Sequence, residues 1–385
     1  MPMVRAICDT CKAPLYVDDS MWSAECPYCC DDVQIEKAIK LYEEEQQRQI
    51  PERDGSDFVI REGVLEKYLG DSDAVYVPEG VRAIGAEAFC ARSIAYVQLP
   101  DGLESIGDLA FSACSLLRRV RLPGSLRSIG RMAFCGCHRL KKAELPDGLE
   151  SIGSMAFRNC RSQTEITIPA GVHTVGHGAF YLCSALERAT VSEGVGFVGR
   201  MAFADCSSLK SLSLPGSLIY VSDSMCSGCV SLTELQLSGG LKSLRMNAFE
   251  YCEALKTVIL PDGLVSIDDF VFSGCLRLEE VKLPEGLESI GTHAFSLCRS
   301  LESISLPASV SYLGEEVFYG CKESLCKNEA LQRLEEESRA LEREFKGLRL
   351  YCPYCGETDF VSAGEVDTLC FNCHRYFLLK DAVTF

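Results

Sequence analysis

Eight cysteines near the two ends of the chain have the residue type and the spacing of metal ligands. They form two sets with the same internal spacing, C-x2-C-x14-C-x2-C. Two thiolates separated by two residues can face one tetrahedral ion, and two such pairs complete a four-thiolate site that has no open position for water. The spacing therefore predicts structural sites and not catalytic ones. The predicted ligands are Cys8, Cys11, Cys26 and Cys29 in the first set, and Cys352, Cys355, Cys370 and Cys373 in the second.

Zinc is the metal that this pattern favours, with one Zn²⁺ in each set and two ions per chain. The segments Cys26-Pro27-Tyr28-Cys29 and Cys352-Pro353-Tyr354-Cys355 resemble the knuckles of zinc ribbons. That resemblance implies a small β domain at each end of the chain, built from short hairpin strands. Two alternatives stay open, a rubredoxin-type iron site with similar knuckles and disulfides formed in an oxidising compartment.

Between the two cysteine sets, a phenylalanine recurs every 23 residues and a cysteine follows it three positions later. A fixed period of this length is the signature of a solenoid, in which stacked coils bury together what one coil cannot bury alone. Cys226 occupies one of the phenylalanine positions. We call the two sets the Phe column (Phe111, Phe134, Phe157, Phe180, Phe203, Phe249, Phe272, Phe295, Phe318) and the Cys column (Cys114, Cys137, Cys160, Cys183, Cys206, Cys229, Cys252, Cys275, Cys298, Cys321).

One repeat, residues 140–160, illustrates the predicted coil. An alternating segment of a half-buried strand ends at Pro146, because proline donates no hydrogen bond. A second short extended piece ends at Gly153, where glycine permits a tight turn. The return segment to Cys160 is predicted as one helical turn with Phe157 pointing inward. The Cys column is predicted to be buried core, since free cysteine packs as a small apolar residue.

This pattern, L-x-x-A-x-L-P-x-x-L-x-x-I-G-x-x-A-F-x-x-C, resembles the BspA-like (Treponema-type) leucine-rich-repeat family over about residues 75–321. The family implies a right-handed solenoid with a binding role and no reaction. Serines replace the strand-end proline at 192 and 238. Ser222, Arg245 and Asp268 replace the turn glycine, so looser or differently curved coils are expected there. The predicted fold class is a BspA-like solenoid flanked by two small zinc-ribbon-like β domains.

The same reading divides the chain into five parts. Residues 328–346 share an apolar face that suits either a cap on the open end of the array or a short coiled-coil dimer, so the chain is expected to be a monomer or a dimer through this helix. The parts are a first ribbon (1–34), a helix and linker (35–57), the solenoid (58–322), a capping or coiled-coil helix (323–348) and a second ribbon (349–385).

Composition limits the classes of partner. The net charge of −17 argues against nucleic acid, which is bound largely through Lys and Arg on phosphates. Both predicted ribbons are also net acidic. No apolar run is long enough to span a membrane, and the first residues lack the apolar core of a signal peptide. With 23 cysteines, a reducing cytoplasm is the expected location.

Outward residues of the strand segments are the predicted partner-binding surface. In a solenoid these side chains form one extended face, and basic residues cluster in its early coils. The nominated residues are Arg119, Arg121, Lys142, Glu144 and Arg188. One interpretation is a docking strip for an acidic peptide or protein segment, and the other is a solvated face of mixed charge.

No nucleophile–base pair or phosphate-binding loop is present in the sequence, so catalysis is not expected. The predicted function is a non-enzymatic protein–protein interaction scaffold. The alternative is a nucleic-acid-associated factor that uses its zinc ribbons.

Overall fold

The computed structural model describes residues 57–326, the helical positions 331, 334, 336 and 337, and nine short strands in the segments 3–34 and 349–384. The chain divides into two compact units, Met1–Leu209 and Lys210–Phe385. Within the described residues, no helix has the length and apolar character needed to cross a membrane.

The first unit begins with short antiparallel hairpins. Two of them precede the array, and the third opens it, with a shift in strand register between Val59 and Ile60. Their strands are β1 (Met3–Ile7) with β2 (Pro14–Asp18), β3 (Ser23–Glu25) with β4 (Asp32–Gln34), and β5 (Phe58–Arg61) with β6 (Val64–Tyr68).

Each coil of the array then crosses two columns of strands. The strands are short because every coil must turn back over the previous one, and successive coils pair in parallel at the repeat spacing, as Val120 does with Ala143. The first column is β7 (Ala74–Tyr76), β9 (Tyr96–Gln98), β11 (Arg119–Arg121), β13 (Lys142–Glu144), β15 (Glu165–Ile168) and β17 (Arg188–Val191). The second column is β8 (Ala83–Ile84), β10 (Ser105–Ile106), β12 (Ser128–Ile129), β14 (Ser151–Ile152), β16 (Thr174–Val175) and β18 (Phe197–Val198).

The second unit repeats this arrangement and ends in two hairpin systems. Its first column is β19 (Ser211–Leu214), β21 (Glu234–Leu237), β23 (Thr257–Ile259) and β25 (Glu280–Lys282). Its second column is β20 (Tyr220–Val221), β22 (Ser243–Leu244), β24 (Ser266–Ile267), β26 (Ser289–Ile290) and β27 (Tyr312–Leu313). Helix α1 (Glu323–Cys326) follows. Strand β28 (Arg349–Tyr351) pairs with β29 (Thr358–Phe360) and β32 (Val383–Thr384), and β30 (Asp367–Leu369) pairs with β31 (Tyr376–Leu378).

The Phe column forms the centre of the core in each unit. The rings of Phe111 and Phe134 stack with centroids 5.2 Å apart and planes 2° from parallel. In the first unit the stack starts at Phe58 and Tyr68, whose ring lies 5.3 Å from that of Phe89. These tilted aromatic contacts close the first end of the core. The predicted inward position of the phenylalanines is confirmed.

The return segment is not a helical turn, and that prediction is wrong. Met155 and Asn159 have left-handed backbones, with φ of 57° and 64°. The amide of Phe157 donates to the carbonyl of Ala179 in the next coil at 2.7 Å, and the amides of Met155 and Asn159 bond to that coil in the same way. Every second amide of the segment, those of Met155, Phe157 and Asn159, therefore points toward the following coil. A helix would instead use those amides within its own turn.

The Cys column is buried, as predicted, except for Cys321 at its end, which is half-buried, and its thiols also make hydrogen bonds. Cys160 donates from Sγ to the carbonyl of Phe134 in the preceding coil at 3.3 Å, and Cys183 donates to Phe157 at 3.2 Å. Burial raises the pKa of the Cys183 thiol, and likewise that of Cys114, to about 12. The column therefore fills space and also pairs a carbonyl of the return segment.

Close approach to the backbone of the preceding coil explains why a glycine follows most strands of the second column, as Gly153 follows β14. Gly153 does not have a positive φ. A Cβ at this position would lie 2.5 Å from the backbone nitrogen of Arg131 in the preceding coil. In the second unit, Arg245 and Asp268 take this position in successive coils, and their side chains form an ion pair at 3.0 Å with Arg245 almost fully buried.

Replacing Gly153 with alanine should lower the free energy of unfolding by about 3 kcal/mol, because the added methyl group meets backbone that cannot move aside. Gly102→Ala is the matched control, since a Cβ there meets no atom within 4 Å. Its effect should stay within about 0.5 kcal/mol. Urea unfolding of both variants measures the difference, and equal midpoints would contradict the close-approach explanation.

Stability should fall as the pH rises above about 9. The thiols of Cys114 and Cys183 have a folded-state pKa of about 12 against an ordinary value of 9.0, so their contribution is complete below pH 9 and is lost toward pH 12. Each such group changes stability by up to about 1.4 kcal/mol per pH unit in that range. Urea midpoints between pH 7 and 10.5 test this, and the Cys114→Ala/Cys183→Ala variant should show a shallower slope. The same slope in both proteins would count against it.

Candidate functional site

The eight predicted metal ligands lie outside the described residues, but the strands around them are described. Each C-x-x-C pair takes the first and fourth of six positions that join two antiparallel strands. The four connections are residues 8–13, 26–31, 352–357 and 370–375. Among the residues that the structure describes, no group of three or more His, Cys, Asp or Glu could hold a metal ion.

Cys226 and Cys229 share the C-x-x-C spacing, yet both are core residues of the second unit. Cys226 accepts a hydrogen bond at its carbonyl from the Cys252 thiol at 3.4 Å, which is the role that phenylalanine carbonyls have in other coils. Both side chains are fully buried. The prediction that this pair is a substitution within the repeat is confirmed.

The nominated partner-binding residues lie side by side on the first strand column of the first unit. Arg119 pairs in register with Lys142, and Arg121 with Glu144. Their backbones are fixed because the intervening residues, such as Val120, are buried in the core. Arg188 stands in register with Glu165 on the next pair of strands. These side chains therefore share one face of four consecutive coils.

Ion pairs connect this face along the stack. Glu144 accepts from Arg119 at 3.3 Å and from Lys142 at 2.9 Å, and Glu165 lies 3.5 Å from Lys142 and 3.9 Å from Arg188. The hydrogen bond from Lys142 is the main cause of the lowered pKa of Glu144, and its counterpart raises the pKa of Lys142. Arg121 makes no ion pair with a described residue. The face therefore has mixed charge, and Glu165 is a member that the sequence reading did not nominate.

The column of paired strands is interrupted in the middle of this face. β11 pairs with β13, and β15 pairs with β17, but β13 and β15 do not form a ladder with each other. A cavity of about 520 Å³ opens there. We call it the notch, and it is lined by Lys142, Ala143, Glu144, Leu145, Asp147, Glu165, Ile166, Thr167, Pro169, Ala170 and Ser192.

Two departures from the repeat consensus lie at this interruption. Gln163 takes a position that is leucine in the neighbouring coils, and its buried side chain donates to the carbonyl of Glu165 at 3.4 Å. Ser192 takes a strand-end proline position and lines the notch. Leu145 is only half-buried, whereas the equivalent Leu122 and Ile168 are buried. The polar residue in an apolar column and the missing strand-end proline are the two sequence signals that point here, and only the second was recognised in the sequence.

Stacked parallel strands on a repeated leucine-rich pattern define this protein as a leucine-rich-repeat solenoid. The model of the BspA-type leucine-rich-repeat region matches residues 72–186, 127–256 and 196–325. The chain belongs to this family. Proteins of this class are typically surface or interaction scaffolds and generally are not enzymes.

Solved structures of other leucine-rich-repeat proteins are similar to this chain. One from T. pallidum is 27% identical and covers 53% of this chain and 90% of that one, with a TM-score of 0.41. One from Bacteroides ovatus is 28% identical, and the match covers 73% of this chain and 98% of that one, with a TM-score of 0.37. The pneumococcal vaccine antigen PcpA is 21% identical, and the match covers 63% of this chain and 74% of that one, with a TM-score of 0.37. No curated protein sequence matches the chain.

Proposed function

We propose that this protein is a non-enzymatic scaffold that binds an extended protein or peptide segment along the strand face of its first unit. The observation that carries the proposal is the continuity of that face: charged side chains lie on four consecutive coils, and those of the two middle coils line one cavity. Solenoids bind partners on extended surfaces of this kind.

The binding energy would be concentrated where the face offers groups that a partner can still engage. Arg121 is exposed and lies directly beside Glu144, while the Arg119 side chain is only 17% exposed and is held by the same carboxylate. Exposed ion pairs contribute little to folding, so exchanging one for a contact with a partner costs the scaffold little. A peptide carboxylate at this end of the face would meet both guanidinium groups.

We further propose that the ends of the chain are two structural zinc ribbons, each holding one Zn²⁺. The support is topological, because all four C-x-x-C pairs fall in six-residue connections between antiparallel strands. A hairpin connection brings two thiolates to one side of the chain, which is what a knuckle requires. Thiolate ligands and buried free thiols both suit a reducing compartment, so the proposed location is the cytoplasm.

Replacing Arg119 and Arg121 together with serine should weaken the partner at least about fivefold, because two cations of the face are lost. The measurement is recovery of the partner from a native-cell extract on immobilised full-length protein, followed by titration of the partner identified by mass spectrometry. Arg131→Ser/Arg200→Ser is the matched control, since both arginines are exposed but lie outside the strand face. Equal affinity of the two double variants would contradict docking on this face.

Elemental analysis of the full-length protein should find two zinc ions per chain. Cys352→Ser/Cys355→Ser should remove one of them, since two ligands of one site are lost. The matched control is Cys226→Ala/Cys229→Ala, which has the same spacing and should leave the zinc content unchanged. Iron in place of zinc, or a single ion in the unaltered protein, would refute this part of the proposal.

The same variants test the alternative function. Salt-sensitive binding of DNA or RNA that disappears with Cys352→Ser/Cys355→Ser would identify a nucleic-acid-associated factor. The net charge of −17 opposes that outcome.

A further inference from the structure

We propose that the notch receives a basic side chain of the bound segment, a lysine or an arginine. This inference rests on the proposed function, because it assigns the chemistry of the partner at one place on the same face. It also distinguishes a basic from an acidic bound segment, because the arginines of the face alone would suggest an acidic one.

The charges that line the notch favour a cation. Three carboxylates, those of Glu144, Asp147 and Glu165, stand against the single ammonium of Lys142. That ammonium already has two of these carboxylates as partners, at 2.9 and 3.5 Å. The hydrogen bond from Lys142 lowers the pKa of Glu144, a carboxyl that is ionised at neutral pH in any case. The lining alone has net negative charge, which disfavours an entering carboxylate. An entering ammonium or guanidinium would share the carboxylate oxygens that Lys142, Arg119 and Arg188 now hold.

The apolar part of the lining suits the stem of a long basic side chain. Ala143 and Ile166 are buried strand residues at the base, and Leu145 is half-buried beside them. Lysine and arginine cover apolar surface with their methylene groups while the charged head remains near polar groups. A volume of about 520 Å³ is ample for one such side chain and the backbone next to it. The hydroxyl groups of Thr167 and Ser192 add two hydrogen-bonding groups to the lining.

The interruption of the first strand column distinguishes the notch from the rest of the face in the first unit. Elsewhere in the first unit neighbouring first-column strands are tied by backbone hydrogen bonds, but the Lys142–Glu165 ion pair spans the gap between β13 and β15. That ion pair is exposed, with 41% and 49% of the two side chains accessible, so a competing cation can displace it at small cost.

Two labelled peptides test the assignment by fluorescence polarisation with the full-length protein, one alternating lysine with valine and one alternating glutamate with valine. The lysine peptide should bind more tightly. Glu165→Gln should weaken it about threefold, because one carboxylate is lost, and Lys142→Gln should strengthen it about threefold, because a competing ammonium is removed. Opposite signs from two variants of exposed residues do not arise from misfolding.

Matched controls remove the effect of overall charge, since any basic peptide is attracted to an acidic protein. Glu150→Gln and Lys141→Gln change the net charge identically at exposed residues outside the notch, and both should leave the affinity within about 1.5-fold. The proposal is overturned if the controls match the notch variants, if Lys142→Gln weakens the lysine peptide, or if the glutamate peptide binds more tightly. Retained sensitivity of the native partner to Arg119 and Arg121 would then leave the docking face intact and reject only the basic occupant.

Discussion

The contact between equivalent positions of successive coils is the interaction on which the rest of the structure depends. A coil of this length has no interior of its own, so its apolar side chains are buried only by the coils before and after it. The parallel stacking of the rings of Phe111 and Phe134 is one of these contacts. The thiol of Cys137 donates to the preceding coil and the amides of the return segment donate to the following one, so both add polar contacts along the stack. Every column of the fold therefore serves the same purpose, which is to hold one coil at a fixed distance from the next.

That dependence explains which parts of the fold could be predicted. Buried columns repeat, and repetition is visible in a sequence, so the inward positions of Phe157 and Cys160 followed directly. The path of the return segment did not follow, because Met155 does not favour a left-handed backbone, although Asn159 is one of the few residue types that tolerate it. The tight turn at Gly153 was predicted correctly, but the reason for the glycine was not, since close approach to another coil leaves the same glycine in the sequence as a conformational need does. Sequence patterns specify which residues face the core better than they specify how the backbone reaches them.

The candidate site shows the same division. Alternation placed Arg119, Lys142 and Arg188 on one face, but the ion pairs among them depend on side chains from different coils and on distances that no pattern encodes. Alternation also places Glu165 on this face, but its part in the site follows from its distances to Lys142 and Arg188. The notch arises where the regular pattern fails, around the buried amide of Gln163. An irregularity in a repeat is therefore informative in a way that the consensus is not, because it marks a coil that differs from its neighbours.

The in-register pairing of the strand column has a consequence for recognition. Paired strands lie about 4.8 Å apart, so a peptide that crosses them contacts a new coil at nearly constant intervals. If every coil presented the same side chains, a bound peptide would have the same contacts in every register. The charges on this face differ from coil to coil, with the arginines of β11 at one end and a carboxylate-lined gap between β13 and β15. A peptide shifted by a single coil would place its charged side chains opposite charges of the same sign or opposite uncharged groups. The order of charges along the stack can therefore select one register of the peptide as well as one peptide.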